Sequence, residues 1–205
     1  MVRRTKAEAE QTRREIVAAA RRVFHERGVR CSSLEQIALA AGVTRGAVYW
    51  HFKDKSALFF AVRSEGYESF TRQIGEALAV DRQPDPLTAI AEALKAVFDM
   101  LAHDDMARQT LEILLLRCEY TGELADALQL VFESHRHLQD ALRVVYERAA
   151  AQSLLRPGLT PDLLAMETLT FLTGLLERWI VDRGGRIANS VAALVDCHVE
   201  LRRAA

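Results

Sequence analysis

Residues 32–55 read SSLEQIALAAGVTRGAVYWHFKDK, and this stretch decides the interpretation of the whole chain. Ser32 followed three residues later by Glu35 forms the pattern of a capping box, which predicts that a helix begins here. Gly42 is placed to end that helix, since glycine tolerates a left-handed backbone, and Thr44 supplies a second N-cap two residues later. Two short helices joined by a tight turn that contains glycine are typical of a helix-turn-helix.

Polar and aromatic groups cover the outer surface of the second predicted helix. Arg45, Tyr49 and His51 lie along it, and Val48 is its main apolar residue. A helix that only packs would carry more apolar residues, so we predict that this one enters the major groove of DNA. Arg45 is the candidate for a base contact because its guanidinium fits both O6 and N7 of guanine. The residues predicted to contact DNA are Ser32, Ser33, Thr44, Arg45, Gly46, Tyr49, Trp50, His51 and Lys55.

Basic residues are concentrated at the N-terminal end, although the whole chain has a net charge of −1. Residues 1–55 contain 12 Lys and Arg against 6 Asp and Glu, and the remaining 150 residues contain 15 against 22. The basic end coincides with the predicted helix-turn-helix, as binding to phosphates requires. A solvated surface without a partner would not explain why the imbalance lies on one part of the chain.

Composition and cysteine spacing restrict the class of protein. No apolar run approaches the roughly 18 residues of a membrane span, and the N-terminus is too charged for a signal peptide. Cys31, Cys118 and Cys197 are far apart and odd in number, which argues against a disulfide framework and a zinc site. The sequence therefore predicts a protein of the reducing cytoplasm.

Apolar residues at helical spacing predict one helix before residues 32–55 and several after them. These predicted helices are residues 8–27, 55–79, 87–101, 105–119, 123–152, 161–182 and 187–203. Pro84 with Pro86, and Pro157 with Pro161, break the chain between them. Strand patterns are absent, so the predicted fold class is all-α.

The run from Thr12 to Leu58 resembles the tetracycline-repressor (TetR) family of dimeric bacterial regulators. Within that family, Val43-Thr-Arg-Gly-Ala-Val-Tyr-Trp-His-Phe-Lys-Asp-Lys-Ser56 looks like the multidrug-efflux repressor (AcrR-like) branch. Arg117-Cys-Glu-Tyr-Thr-Gly-Glu-Leu124 and Gly174-Leu-Leu-Glu-Arg-Trp179 look like the same branch. The resemblance favours a hydrophobic, often cationic, drug-like effector.

Together with the predicted helices, the resemblance implies two domains. Residues 1–54 would form an N-terminal three-helix domain that contains the helix-turn-helix, and residues 55–205 a C-terminal helical bundle for ligand binding and dimerisation. The helix that starts at Lys55 would connect them, so that bound ligand repositions the DNA-binding domains.

The predicted helix 161–182 is apolar nearly all round, which is unusual for a helix on the surface of a monomer. With the last helix it would form an αα-hairpin, and two hairpins would pack as a four-helix bundle, which is how the resembled family dimerises. The alternative is a central core helix. The candidate interface residues are Leu172, Leu176, Trp179, Leu194 and His198.

Carboxylates interrupt apolar helical stretches and suggest a ligand site. Such a carboxylate can serve as counter-ion to a cationic ligand, with aromatic residues as stacking partners. The alternative is an ordinary ion pair, such as Glu112 with Arg108, or Glu177 with Arg117 or Arg178. The candidate ligand-binding residues are Tyr67, Phe70, Phe98, Leu114, Cys118, Glu119, Phe132 and Phe171.

Motifs for catalysis are lacking, although a helix, a glycine turn and a second helix also occur in many enzymes. The six histidines show no metal-ligand spacing, and no glycine-rich phosphate loop or nucleophile elbow is present. We therefore predict neither an enzyme nor a metal or other cofactor.

The function predicted from these features is a ligand-responsive repressor. It would bind a pseudo-palindromic operator as a homodimer, be released by its effector, and control a multidrug efflux gene. Alternatives are a regulator of the same fold that senses a metabolite or signal molecule, or that activates transcription. A module that binds only proteins would leave the surface from Arg45 to Lys55 without a task.

Overall fold

The computed structural model describes residues 5–78, 85–182 and 185–204, and these ranges contain helices and no β-strand. The predicted all-α class is confirmed. The α-helices are α1 (Lys6–Arg27), α2 (Leu34–Ala40), α3 (Arg45–His51), α4 (Lys55–Leu78), α5 (Pro86–His103), α6 (Asp105–Glu112), α7 (Ala125–Ala151), α8 (Pro161–Val181) and α9 (Val191–Glu200). A π-helical turn, Ile113–Arg117, extends α6, and 3-10 turns precede α7 (Gly122–Leu124) and α9 (Ala188–Ser190). In this part of the chain, no helix is both long enough and apolar enough to cross a membrane.

Local capping signals set most helix ends. Pro86 and Pro161 each stand in the first turn of a helix, where the missing N–H has no partner to lose. Gly28 ends α1 with a φ of 80°, a conformation that glycine adopts without strain. Of the prolines that break the chain in the sequence, Pro84 lies outside the described residues.

The capping box of α2 lies one residue later than predicted. Ser33 accepts a hydrogen bond from the backbone N–H of Gln36 at 3.3 Å, and Gln36 accepts one from the backbone N–H of Ser33 at 3.0 Å. The predicted pair of Ser32 and Glu35 is therefore wrong. The hydroxyl of Ser32 instead donates to the carbonyl of Gly28 at 2.7 Å, which turns this side chain into the protein.

The chain divides into two compact units. The first unit is Met1–Glu68 with Asp105–Gln129, and the second is Ser69–Asp104 with Leu130–Ala205. The predicted division after residue 54 stays a prediction. Residues 105–129, which that prediction places in the C-terminal domain, belong to the same compact unit as the helix-turn-helix. The α4 helix contributes residues to both units.

This segment, residues 105–129, shares the core of the first unit. Ile113 and Leu114, at the π-helical turn, are buried in one apolar cluster with Phe24 and Phe59. The backbone N–H of Val29 donates to the carbonyl of Arg117 at 3.0 Å, so the loop after α1 is hydrogen-bonded to the end of that turn. A displacement of residues 105–117 would therefore act directly on the helices that flank the helix-turn-helix.

The second unit contains a buried polar chain that links three helices. The hydroxyl of Tyr146 on α7 is 2.7 Å from Oγ1 of Thr168 on α8, and that oxygen is 3.0 Å from Nε2 of His198 on α9. The ring of Phe171 stacks on the His198 imidazole at 4.0 Å. Burial, together with the cation of Arg202, lowers the pKa of His198 to about 4, so the imidazole is neutral at physiological pH.

Candidate DNA-binding surface and effector residues

The predicted recognition helix α3 is anchored by the buried side chain of Val48 and capped by the exposed Thr44. Val48 is fully buried and joins α3 to the core of the first unit. Thr44 accepts a hydrogen bond from the backbone N–H of Ala47 at 3.2 Å, as the N-cap pattern predicts. Because Val48 occupies the inner face, the opposite face projects into solvent, and Trp50 there is 73% exposed.

Arg45, Tyr49 and Glu35 form a small cluster on this outer surface. The guanidinium of Arg45 forms an ion pair with the carboxylate of Glu35 at 2.9 Å, and it donates a hydrogen bond to the hydroxyl of Tyr49 at 3.2 Å. Sequence reasoning identified Arg45 and Tyr49 as neighbours on one helix but missed Glu35, which belongs to α2. The prediction that Arg45 reads a base edge stays a prediction.

Two of the residues predicted to contact DNA, Ser32 and Lys55, have internal partners in this structure. The Ser32 side chain is buried and bonded to a backbone carbonyl, which conflicts with a direct contact between its hydroxyl and DNA. The ammonium of Lys55 donates to the carbonyls of Arg30 at 3.2 Å and of Ser32 at 3.1 Å. Lys55 thus ties the start of α4 to the loop that precedes α2. Gly46 is exposed, and the DNA contacts predicted for it and for Ser33, Thr44, Trp50 and His51 stay predictions.

Glu119 does not have the surroundings of a buried counter-ion. Its side chain is 59% exposed and pairs with Arg30 at 2.9 Å. It lies in a cleft of about 430 Å³ that is lined by Arg30, Lys55, Thr121, Glu123 and Leu124. Its charge has a cationic partner and faces solvent, which are not the surroundings of a counter-ion in an apolar pocket, and its role in effector binding stays a prediction.

The other candidate effector residues of the first unit are more enclosed. Leu114 is buried, and Tyr67 and Cys118 are half-buried. Burial, with the neighbouring charge of Glu119, raises the pKa of the Cys118 thiol to about 11, so it is protonated and unreactive as a nucleophile. The guanidinium of Arg63 lies 4.8 Å from the centre of the Tyr67 ring.

In the second unit, the candidate aromatic residues have partners of their own. The ring of Phe98 is edge-on to Trp179 at 6.1 Å, and Phe171 stacks on His198. Phe70 is buried, whereas Phe132 is exposed on α7. Their role in effector binding stays a prediction.

Glu112 has two partners in the first unit. For this residue, the sequence left open an ordinary ion pair as the alternative to a ligand contact. Arg108 donates to its carboxylate at 3.1 Å, as that alternative predicts. The imidazole of His25 on α1 also contacts this carboxylate. Glu112 therefore connects α6 to α1.

The face of α8 that is exposed differs from the face predicted for dimerisation. Leu172 and Leu176 are only 1% and 4% exposed, because they point into the core of the second unit. His198 is also buried, in the polar chain with Thr168. Trp179 is half-buried and Leu194 is exposed, so a place for these two at an interface stays a prediction. The large exposed apolar residues are Leu163, Met166 and Val181 on α8, Leu194 on α9, and Leu201 directly after α9.

A second cleft, of about 920 Å³, lies at the end of α8 in the second unit. Its lining residues are Gly174, Glu177, Arg178, Val181, Asp182, Arg186, Ile187 and Ser190. The lining places two carboxylates and two guanidinium groups beside Val181 and Ile187, and a hydrophobic effector would leave these four charged groups without ligand partners.

Family models match both ends of the chain. Residues 16–62, which include α2 and α3, match the model described as "Bacterial regulatory proteins, tetR family". Residues 85–203 match the model described as "MAATS-type transcriptional repressor, C-terminal region". The matched ranges contain the helix-turn-helix and most of the second unit.

Individual relatives are similar over nearly the full length. The chain is 38% identical to the HTH-type transcriptional regulator AcrR of Shigella flexneri, over 88% of this chain and 83% of that one. Among solved structures, it is similar to NalD, the secondary repressor of the MexAB-OprM multidrug efflux pump in Pseudomonas aeruginosa. That match has a TM-score of 0.82 and 32% identity, over 97% of this chain and 98% of NalD. A complex of SmeT with triclosan matches with a TM-score of 0.80 and 28% identity, over 95% and 92% of the two chains.

Proposed function

This chain belongs to the TetR family of bacterial regulatory proteins, and we propose that it represses a multidrug efflux gene in the cytoplasm until a hydrophobic effector releases it from DNA. It is a transcription regulator and not an enzyme. NalD, which is 32% identical, is a repressor of a multidrug efflux pump, and this relationship supports the same class of regulated gene here.

The observation that carries the DNA-binding part of the proposal is the outer surface of α3. Val48 anchors the helix, and the side chains of Arg45, Tyr49 and Trp50 remain exposed for contact with a groove. A major groove admits one helix, and an arginine near the helix start can reach guanine O6 and N7 together. A recognition helix of seven residues reads only a few base pairs, so a useful operator requires two of them in a dimer.

The proposed dimer interface is the exposed apolar face of α8 and α9. Leu163, Met166 and Val181 lie on the outward side of α8, opposite Leu172 and Leu176. Gly174 lies between Met166 and Val181 on this outward side. A Cβ added at Gly174 would meet nothing within 4 Å in a single chain, so a helix of a second copy could approach the backbone closely there.

The proposed effector response uses the contacts between residues 105–117 and the helix-turn-helix. Glu112 connects α6 to α1 through His25, and the carbonyl of Arg117 accepts the backbone hydrogen bond from Val29. An effector that shifted α6 would disturb both contacts, and so move α1 relative to α3. The complex of SmeT with triclosan shows a relative with a neutral, chlorinated aromatic ligand, which supports an apolar effector.

Selection of operator DNA from a random pool, followed by variant binding, tests the proposal. Arg45→Ala should cost roughly 1–3 kcal/mol and relax the preference at one position in each half-site. Lys53→Ala, which removes an exposed cation just beyond α3, should weaken all sequences about equally and reduce the salt slope by about one. Failure of the wild-type protein to enrich any sequence would refute DNA recognition.

Release by effector is tested with the selected operator and two dyes, one cationic and one neutral, together with triclosan. A coupling of about 1–3 kcal/mol would weaken operator binding by roughly 5- to 150-fold, and operator must weaken the ligand by the same factor. Ligand affinity that is indifferent to operator would refute the effector response. Transcription from a promoter that contains the operator then distinguishes repression from activation, the main alternative, and a screen of metabolites tests the alternative effector class.

A further inference from the structure

One face of α8 is exposed from one end of the helix to the other. Successive residues are about 100° apart around a helix, so residues that recur every three or four positions lie on one side of it. This side lies opposite Leu172 and Leu176, which face the core. The outer face of α8 consists of Leu163, Met166, Glu167, Thr170, Gly174, Glu177, Arg178 and Val181.

The two halves of the outer face differ in shape. Position 172 is its centre, and the C-terminal half lines the cleft of about 920 Å³ through Glu177, Arg178 and Val181. The N-terminal half carries the apolar side chains of Leu163 and Met166, which are 48% and 51% exposed. In a twofold dimer the same surface of both copies meets. A cleft on one half and exposed apolar side chains on the other fit together when the two helices run antiparallel, whereas a parallel pair would place cleft against cleft.

Glu167 and Arg178 lie along the same edge of the outer face. They are eleven residues apart, a spacing that returns a helix to within about 20° of the starting direction. The carboxylate of Glu167 is 54% exposed, and its Oε1 pairs with Nη2 of the buried Arg202 at 2.5 Å, which holds it in place. Arg178 is exposed and has no ion pair with any residue that the structure describes.

An antiparallel pair of α8 helices would bring these two charges together. In such a pair, two residues on the same edge face each other when they lie equally far from the centre, one before it and one after it. Glu167 precedes position 172 by five residues, and Arg178 follows it by six. Glu167 of one copy would therefore lie opposite Arg178 of the other, and the twofold axis would produce this pair twice.

We propose that the outer face of α8 binds the outer face of α8 in a second copy, antiparallel, with Arg178 of each copy paired to Glu167 of the other. The proposal rests on the dimer of the proposed function, and it adds the orientation and the ion pairs. The two helices cross at Thr170 and Gly174, where small residues let the backbones approach closely. Apolar side chains from the N-terminal half of each outer face fill the cleft of the other copy. The ion pairs form only with a helix that carries these charges at these positions, so they select a second copy of this chain over another regulator of the same fold.

Cysteine crosslinking measures the orientation. Leu163 and Val181, at the two ends of the outer face, are about 27 Å apart along one helix at 1.5 Å per residue. In an antiparallel pair, Leu163 of one copy faces Val181 of the other, and the two Leu163 residues are far apart. A short bismaleimide should therefore link the copies of Leu163→Cys/Val181→Cys and of neither single variant. The exposed Cys31 and Cys197 are replaced by serine in all three proteins, while the half-buried Cys118, whose thiol pKa is raised to about 11, stays unreactive.

Sedimentation equilibrium measures the ion pairs through the dissociation constant of the dimer. Arg178→Ala removes two equivalent pairs, each worth about two- to fivefold, so the dimer should weaken by about four- to 25-fold. Glu167→Gln should weaken it similarly, and should have no further effect in the Arg178→Ala background. Glu177→Gln is the matched control, because Glu177 lies on the same outer face but along its opposite edge. Its effect should be the same with and without Arg178→Ala.

The expected result is crosslinking of the double cysteine variant alone, together with coupling between Glu167 and Arg178. Efficient crosslinking of Leu163→Cys by itself would show a parallel pair and overturn the proposal. Independent effects of Glu167→Gln and Arg178→Ala would overturn the ion pair. A wild-type dimer whose double cysteine variant is not crosslinked would place the interface on another surface. A wild-type protein that sediments as a monomer would instead refute the dimer of the proposed function.

Discussion

Gly66 and Gly75 lie on the same helix, α4, but substitution by alanine should change stability in opposite directions. A Cβ added at Gly66 would lie 2.5 Å from Cβ and 2.6 Å from Cγ2 of Thr110, and closer still to its hydroxyl oxygen. A Cβ added at Gly75 would meet nothing within 4 Å. The two variants therefore share the change in helix propensity and differ in the contact with α6.

The magnitude follows from how little Thr110 can move. Its side chain is 2% exposed, and its hydroxyl donates to the carbonyl of Met106 at 2.9 Å, so a rotation that removes the clash also breaks a buried hydrogen bond. Its Cβ is fixed by the backbone of α6, so α4 and α6 must separate. Overpacking of this kind costs about 1–3 kcal/mol, against a gain of about 0.5–1 kcal/mol from replacing glycine within a helix. We expect Gly66→Ala to lose about 1–2 kcal/mol and Gly75→Ala to gain up to about 1 kcal/mol.

Urea denaturation followed by circular dichroism measures both variants, and thermal midpoints should shift by about 2–4 °C per kcal/mol for a chain of this size. Thr110→Gly removes the clashing side chain, so Gly66→Ala should cost less in that background than in the wild-type protein, which is a departure from additivity. Equal stability of Gly66→Ala and Gly75→Ala, or strict additivity with Thr110→Gly, would refute the close approach of α4 and α6.

Three further predictions concern assembly, pH and the effector. Met166→Arg should convert the proposed dimer into a monomer in sedimentation, since an unpaired charge in an apolar interface costs several kcal/mol. Val144→Arg, on an exposed part of α7, should leave the protein dimeric. A dimeric Met166→Arg variant would place the interface elsewhere. Stability should fall from about pH 6.5 to about pH 4, because His198 has a pKa of about 4 in the folded protein and the unfolded chain binds the proton first. The free energy of unfolding should fall by about 3 kcal/mol over this pH range, and this fall should be absent from urea titrations of His198→Gln. The same pH profile in both proteins would contradict the role of His198. Glu119→Gln should leave the affinities for cationic and neutral dyes unchanged in fluorescence titrations, because Arg30 already pairs with this carboxylate; a selective loss of the cationic dye would restore Glu119 as a counter-ion.

Features that depend on neighbours in sequence were predictable. Thr44 caps α3 through an N–H three residues away, and Pro86 and Pro161 mark helix starts by their own chemistry. The predicted helices and the all-α class followed from such signals and from helical periodicity, because both depend on groups within a few residues. The DNA-binding surface was predicted from the residue types of α3 for the same reason.

Features that depend on which side of a helix faces the core were less predictable. Ser32 and Ser33 both suit an N-cap, and both precede the first helical residue, Leu34, so helical periodicity does not distinguish them. Packing against the carbonyl of Gly28 selects Ser32 for the interior and leaves Ser33 as the cap. On α8, apolar residues occur nearly all round, so periodicity could not show that Leu172 and Leu176 face the core.

The sequence by itself determined that the chain forms helices, where most of them start and stop, and which helix carries polar groups on its outer surface. Only the tertiary structure decided that residues 105–129 join the helix-turn-helix in one unit, that Glu35 pairs with Arg45, and that Glu119 pairs with Arg30. The physical reason is range: caps and periodicity act over a few residues, whereas these contacts bring together groups that are distant along the chain or belong to different helices. Packing of the whole core sets the geometry of these contacts, and no single stretch of sequence contains the pattern of that packing.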